Sequence, residues 1–279
     1  MAVSETLKSL VDQMPSADSR GMYTTDIDKE KIEKTVAELH KGGRDNVLGI
    51  IEMLGTPGSE ENVKPHYALH CLANHVLIIG DENARRQLCE TLAAQLGGEL
   101  STYNKAYLCQ ELQWAGHKEV APALGKLLLD EELVEPASMA LVAIKEGAAE
   151  QLHAALPKAK GKCRLNVIDA LAALADAGSA GALKEALGDL DREVRLAAGA
   201  GLAKIGDAGA VDALIKAADV KPGWERIQAT KHCLVLAENL LAAGKKSEAV
   251  KIYTHLRDTR KDASEKYIRD AAEKALSTA

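Results

Sequence analysis

Apolar residues return along this chain at the spacing of a buried helix stripe, and the stripe itself returns every 30 or 31 residues. In Val194, Ala198, Gly201, Leu202 and Ile205 the offsets are 0, 4, 7, 8 and 11, one face of an amphipathic α-helix. The same offsets hold Cys163, Val167, Ala170, Leu171 and Leu174, and again Leu133, Ala137, Ala140, Leu141 and Ile144. The closing members Ile144, Leu174 and Ile205 stand 30 and 31 residues apart. A further step of 31 reaches Leu236, with Ala229, His232 and Cys233 in the preceding slots. A step of 30 backwards reaches Trp114, which places that ring in a core slot, with Tyr103 and Tyr107 in the first two slots. Another 38 residues back, Leu69, Leu72, Ala73 and Val76 carry the register again.

Shorter helices fall between these, each opening near a glycine, at Gly116, Gly147, Gly178 and Gly206. Glycine supplies the turn that ends one helix, and Ser or Asp nearby caps the next. Asp191 sits where an N-cap is wanted, with Glu193 in the first turn. Gly42-Gly43, Gly55-Thr56-Pro57-Gly58-Ser59 and Gly97-Gly98 read as turns, and residues 15–27 as a loop after a separate N-terminal helix. A two-helix unit of about 30 residues stacked on copies of itself is an α-solenoid.

At this point a family resemblance becomes specific. Asp191-Arg192-Glu193-Val194-Arg195-Leu196-Ala197-Ala198, followed by Leu202-Ala203-Lys204-Ile205-Gly206-Asp207, resembles the HEAT-like repeat of the phycobilisome-lyase type. The match is closest over 178–218, holds in outline over 117–176 and is looser over 63–116. The chain is also similar to stand-alone bacterial HEAT-repeat proteins, a resemblance that carries no assigned activity. It implies an all-α, right-handed solenoid of about 7–8 helical hairpins. Leu240-Leu241-Ala242-Ala243-Gly244 with Lys245 through Tyr253 resembles a tetratricopeptide turn and second helix. The expected organisation is one elongated domain, with an irregular N-terminal cap over 1–62, repeats over 63–218 and a TPR-like cap over 219–279.

Composition agrees with this picture. The chain is 47% apolar but only 3% aromatic, with no phenylalanine. Its core must be built from Ala, Leu, Ile and Val, which suits close helix packing better than a sandwich, a barrel or a Rossmann-type sheet. The net charge of -6 is uneven: residues 1–100 hold 10 Lys+Arg against 16 Asp+Glu, whereas 201–279 hold 14 against 11. Such a balance disfavours nucleic acid as a partner, since affinity for it comes from neutralised phosphates. Lys158, Lys160, Lys162 and Arg164 form one short basic run, read as a solvated loop. DNA glycosylases of HEAT-like build need a basic concave face with aromatic rings, and the acidic balance argues against that reading. No apolar run reaches membrane-spanning length. Met1-Ala2-Val3-Ser4-Glu5 has no export-signal character, so the expected location is cytoplasmic, with an exported chain that has lost its signal as the alternative. Five well-separated cysteines (Cys71, Cys89, Cys109, Cys163, Cys233) show no paired spacing and read as buried apolar residues, with Cys163 and Cys233 in core slots.

Few constellations carry chemistry. The nucleophile-elbow, P-loop, dinucleotide and zincin motifs do not occur in the sequence, nor does the His-Glu dipeptide that HEAT-like hydroxylases use to hold iron. His66 and His70, spaced i and i+4, could face one metal ion, but two ligands do not complete a site. The slot after the first core residue holds His66, Asn104, Val134, Arg164, Arg195 and Arg226 in successive repeats, a column on one side of the solenoid. That column reads either as a ridge gripping carboxylates, phosphates or peptide carbonyls, or as arginines tying each repeat to the next through acidic partners. Trp224, beside Pro222-Gly223, is expected to be a contact residue. The leading expectation is a non-enzymatic, monomeric scaffold that binds a protein partner on its concave face, with no catalytic residue and no cofactor. Its candidate binding residues are Arg164, Arg195, Arg226, His66, His70 and Trp224. One alternative is an accessory or lyase-type protein acting on a bound chromophore or small molecule. A second is a metal-binding repeat protein using His66 and His70.

Overall fold

The computed structural model describes residues 3–16, 27–56, 59 and 62–278. Most of the loop expected at 15–27, and Pro57-Gly58 of the second turn, lie outside the described residues. Every regular element that is described is helical. The chain forms two compact units, Met1–Gln151 and Leu152–Ala279.

The first unit contains α1 (Glu5–Val11), α2 (Lys29–Lys41), α3 (Gly43–Glu52), α4 (Val63–Ile78), α5 (Glu82–Gln95), α6 (Thr102–Ala115), α7 (Ala121–Gly125) and α8 (Val134–Ile144). Helix α9 (Ala148–Ala155) contains the boundary. In this unit α4 packs on α6 and α6 on α8, with α5 and α7 filling the second layer. The second unit contains α10 (Gly161–Leu174), α11 (Ala180–Ala186), α12 (Arg192–Ile205), α13 (Val211–Ala218), α14 (Trp224–Ala242), α15 (Lys246–Thr259) and α16 (Lys266–Thr278). There α10, α12 and α14 stack in order, with α11 and α13 behind them.

The repeating stripe is what these stacks bury. Leu133, Ala137, Ala140 and Leu141 are buried, as are Cys163, Val167, Ala170 and Leu171, and Val194, Ala198, Gly201 and Leu202. The closing slot is different: Ile144, Leu174 and Ile205 are only half-buried, because the stripe leaves the core where each helix ends. Capping sets the ends. The Asp191 carboxylate accepts from the Glu193 amide, and Gly206 closes α12 in the left-handed region at φ 72°. Gly244, at φ 74°, separates α14 from α15, and Ala249 and Tyr253 are buried one turn apart on α15.

Small residues are required where helices come closest. A Cβ on Gly201 would lie 2.7 Å from the Ala172 Cβ, 2.8 Å from its Cα and 2.9 Å from Leu183 Cδ1, so α12 meets α10 almost backbone to backbone. Replacing glycine by alanine in an open helix ordinarily stabilises, by up to about 1 kcal/mol. Here the clash must win, since overpacking a filled interface costs roughly 1–3 kcal/mol. Gly201→Ala is therefore expected to lower the urea midpoint. Gly181→Ala, with nothing within 4 Å of its added methyl, is expected to raise it slightly. Equal signs for the two would show that α12 is free to shift.

Candidate functional site

Helix α6 departs from the expected register by one residue. Its buried positions are Asn104, Leu108, Glu111, Leu112 and Ala115, together with Cys109. The offsets 0, 4, 7, 8 and 11 are kept, but two of the slots hold polar side chains. Each of the two finds a partner inside the unit. The Asn104 amide donates to the Leu54 carbonyl at 3.1 Å, and both Glu111 carboxylate oxygens lie 3.1 Å from His70 Nδ1. The shift moves the rings outward and corrects their expected placement. Trp114 is 59% exposed and Tyr103 44%, and Tyr107 is half-buried.

Tyr103, Tyr107, Gln110 and Trp114 thus run at offsets 0, 4, 7 and 11 down the outer face of α6, opposite His66, Tyr67 and His70 on α4. Between the two helices lies a groove of about 1040 Å³. His66 Nδ1 is 2.7 Å from the Asn62 carbonyl and so carries the ring proton. The imidazole stacks at 4.1 Å from the Tyr107 ring and 5.7 Å from Tyr103, tilted to both. Burial lowers its pKa, against the Asn62 carbonyl and the Glu111 charge. His70 shifts the opposite way, because its hydrogen bond to Glu111 favours the charged ring. The Tyr107 hydroxyl donates to the His66 carbonyl at 2.6 Å, and burial pushes its pKa far up. Trp114 Nε1 donates to Asn74 Oδ1 at 3.0 Å, which fixes the indole against α4.

The groove therefore offers ring faces and fixed hydrogen-bonding groups. The nearest thiol, Cys71, is pushed up to about 11 by burial and by Glu111, so it is protonated at neutral pH and carries no thiolate. Cys89, Cys109, Cys163 and Cys233 are buried, and burial raises Cys233 to about 12. His66 and His70 do share the groove. Among the described residues, however, no three His, Cys, Asp or Glu side chains are grouped to hold a metal ion.

The three arginines of the column lie in the second unit, and each is engaged. Arg164 Nε meets Asp189 Oδ2 at 2.5 Å. Arg195 binds Glu225 at 2.6 Å and donates to the Asp189 and Leu190 carbonyls. Arg226 makes a two-point contact with Glu265 at 2.6 and 3.1 Å. These acids lie 25, 30 and 39 residues further along, so each guanidinium bridges one helix to a later segment. Trp224 is 58% exposed at the start of α14. Lys158, Lys160 and Lys162 are exposed. No described helix is long and apolar enough to cross a membrane.

Comparison with known proteins fits this construction. A family profile described as HEAT repeats matches residues 149–234, so this stretch is built of HEAT repeats. A search of curated proteins finds no match. Among solved structures, the karyopherin Kap121p is similar over 99% of this chain at 11% identity and a TM-score of 0.50. It was solved bound to the extreme C-terminus of the protein phosphatase Cdc14p, and also bound to Nup53p. The present chain spans 36% of that protein. An engineered protein is also similar, at 20% identity over 97% of this chain and 77% of its own, with a TM-score of 0.46. The fold is all-α and built of helical repeats.

Proposed function

We propose that this protein is a non-enzymatic binding scaffold that takes up a partner protein in the groove between α4 and α6. The observation that carries this reading is the exposed pair Tyr103 and Trp114, held over a groove of about 1040 Å³ on rigid stacked helices. Tyr and Trp supply large contact areas at small entropic cost and dominate binding energy at protein interfaces. A chain with eight Tyr and Trp rings in 279 residues places three of them on one stripe. Such a concentration exceeds what packing asks for. His66 and His70 line the same groove, whereas Arg164, Arg195, Arg226 and Trp224 belong to the second unit and would serve a separate contact.

The test is capture of the partner from cells of the source organism by wild-type and variant protein. Tyr103→Ala with Trp114→Ala is expected to weaken retention at least about a hundredfold, as for two hot-spot rings. Its melting temperature should stay near wild type, since both rings are largely exposed. A partner that survives this double change removes the groove from the function. The triple change of Arg164, Arg195 and Arg226 to alanine tests the column. Loss of the partner with melting unchanged makes the arginines a binding ridge, and loss of melting cooperativity makes them ties between helices.

A further inference from the structure

Charge and hydrogen-bonding capacity in the α4–α6 groove are lopsided. None of its lining residues is Lys or Arg, and its one carboxylate, Glu111, is only 3% exposed. Asn62, 5% exposed, lines this site with an Oδ1 that has no hydrogen-bond partner, and His66 Nε2 is buried without one. Because His66 Nδ1 faces a carbonyl, that ring, when neutral, donates from Nδ1 and keeps Nε2 as an acceptor. Two buried acceptors at this site, Asn62 Oδ1 and His66 Nε2, thus stand without a donor. A buried acceptor without a donor is costly, so the arrangement suits a ligand that brings N–H groups. Alongside stand the faces of Tyr103, Tyr107 and Trp114, which attract a cation through their ring quadrupoles.

We infer that the groove receives the guanidinium of an arginine side chain from the partner segment, seated against Glu111 and the α6 rings. Orphan acceptors, a desolvated carboxylate and flat ring faces are separate features, and a planar cation with five donors answers all of them at once. A lysine ammonium is more compact and more strongly hydrated, and it does not stack. The inference rests on the groove being the binding face and specifies what it selects there.

The chain has two tryptophans, one in the groove and one in the other unit, so their indole N–H resonances report the site and an internal control. The probes are three blocked pentapeptides, Ser-Gly-Xaa-Gly-Ser, with Xaa arginine, lysine or the uncharged arginine isostere citrulline. The arginine peptide is expected to move the Trp114 resonance and leave Trp224 in place. It should bind about tenfold more tightly than the citrulline peptide, with the lysine peptide between them. Glu111→Gln, isosteric and uncharged, should bring the arginine-to-citrulline ratio close to one. If that variant does not fold, the wild-type ratio and its decline with added salt still decide the matter. Equal affinity for arginine and citrulline overturns the inference while leaving the scaffold reading intact. Failure of all three peptides to move Trp114 overturns it too. The scaffold reading fails by a different observation, the partner's survival of the Tyr103 and Trp114 changes.

Discussion

Arg85→Ala is expected to destabilise the first unit by about 3 kcal/mol, while Arg86→Ala, its neighbour on the same helix, leaves stability unchanged within error. The contrast lies in burial. Arg85 is 3% exposed, and its fork holds Glu82 at 2.6 and 2.8 Å, Glu119 at 2.8 Å and the Ala115 carbonyl at 2.7 Å. The last is a carbonyl of the closing turn of α6, which has no partner within its own helix. Truncation would leave that carbonyl without its donor and the largely buried Glu119 carboxylate with the His117 amide but no cation. Breaking a buried pair from one side costs about 3–5 kcal/mol. Glu82 is 65% exposed and returns to water, which keeps the figure at the low end. Arg86 pairs with Glu90 on the surface, where ion pairs contribute little. Urea unfolding of the two variants decides the point. A second comparison separates charge from volume: Arg85→Met with Glu119→Gln should regain much of the loss, because a buried pair replaced on both sides is close to neutral. If Arg85→Ala melts like Arg86→Ala, the fork is not structural.

Much of the repeat architecture was legible in the sequence, since the same offsets mark α8, α10 and α12 and the first four slots of the stripe are buried in all three. Helix α6 is where hydrophobicity misled. Tyr103, Tyr107 and Trp114 look like core and Asn104 and Glu111 like surface, yet the backbone phase buries the polar pair. Leu108, Leu112 and Ala115 carried the correct register, and they are less conspicuous than the rings. What hydrophobicity could not reveal is that Asn104 and Glu111 find partners far away in sequence, at Leu54 and His70. Pairing across tens of residues makes a buried polar side chain tolerable, and a single-sequence pattern does not contain it. Arg85 shows the same limit from the other side. Leu88, Cys89 and Leu92 place it on the buried face of α5, but its acidic and carbonyl partners lie up to 34 residues on.

The histidines of the groove were found by spacing alone, as a possible metal pair. Spacing said nothing of which ring nitrogen was occupied. The structure engages both Nδ1 atoms, at the Asn62 carbonyl and the Glu111 carboxylate. For the arginine column, sequence left two readings, and neither could be weighed without knowing what stands opposite. Asp189, Glu225 and Glu265 stand there, each within 2.6 Å.

Acidification from pH 6.5 to about 4 is expected to remove about 3 kcal/mol from the second unit through one residue, His232. This side chain occupies the slot that Ala140, Ala170 and Gly201 fill in other repeats, on the face of α14 turned to α12. Room for it exists because Gly199 lacks a side chain: a Cβ there would lie 2.8 Å from His232 Nδ1. Burial, with a smaller contribution from the Lys231 charge, pushes its pKa down from 6.5 to about 4. The sign follows from proton counting. Between those two values the unfolded chain binds a proton that the folded chain refuses, so unfolding gains on folding as pH falls. Above 6.5 neither state is protonated and the full stability is present; below about 4 both are, and the loss is complete. A shift of that size corresponds to about 3 kcal/mol at 1.36 kcal/mol per pH unit. Asp207 and Asp219 in the same unit are held below the ordinary carboxylate range, so their losses come at lower pH. The measurement is urea unfolding between pH 7 and 4 for wild type and His232→Gln, compared by slope so that the cost of the substitution itself cancels. The variant should show a slope flatter by up to one proton in this window. Parallel slopes would mean that His232 charges within the folded protein, and that the contact of α12 with α14 at Gly199 opens to let it.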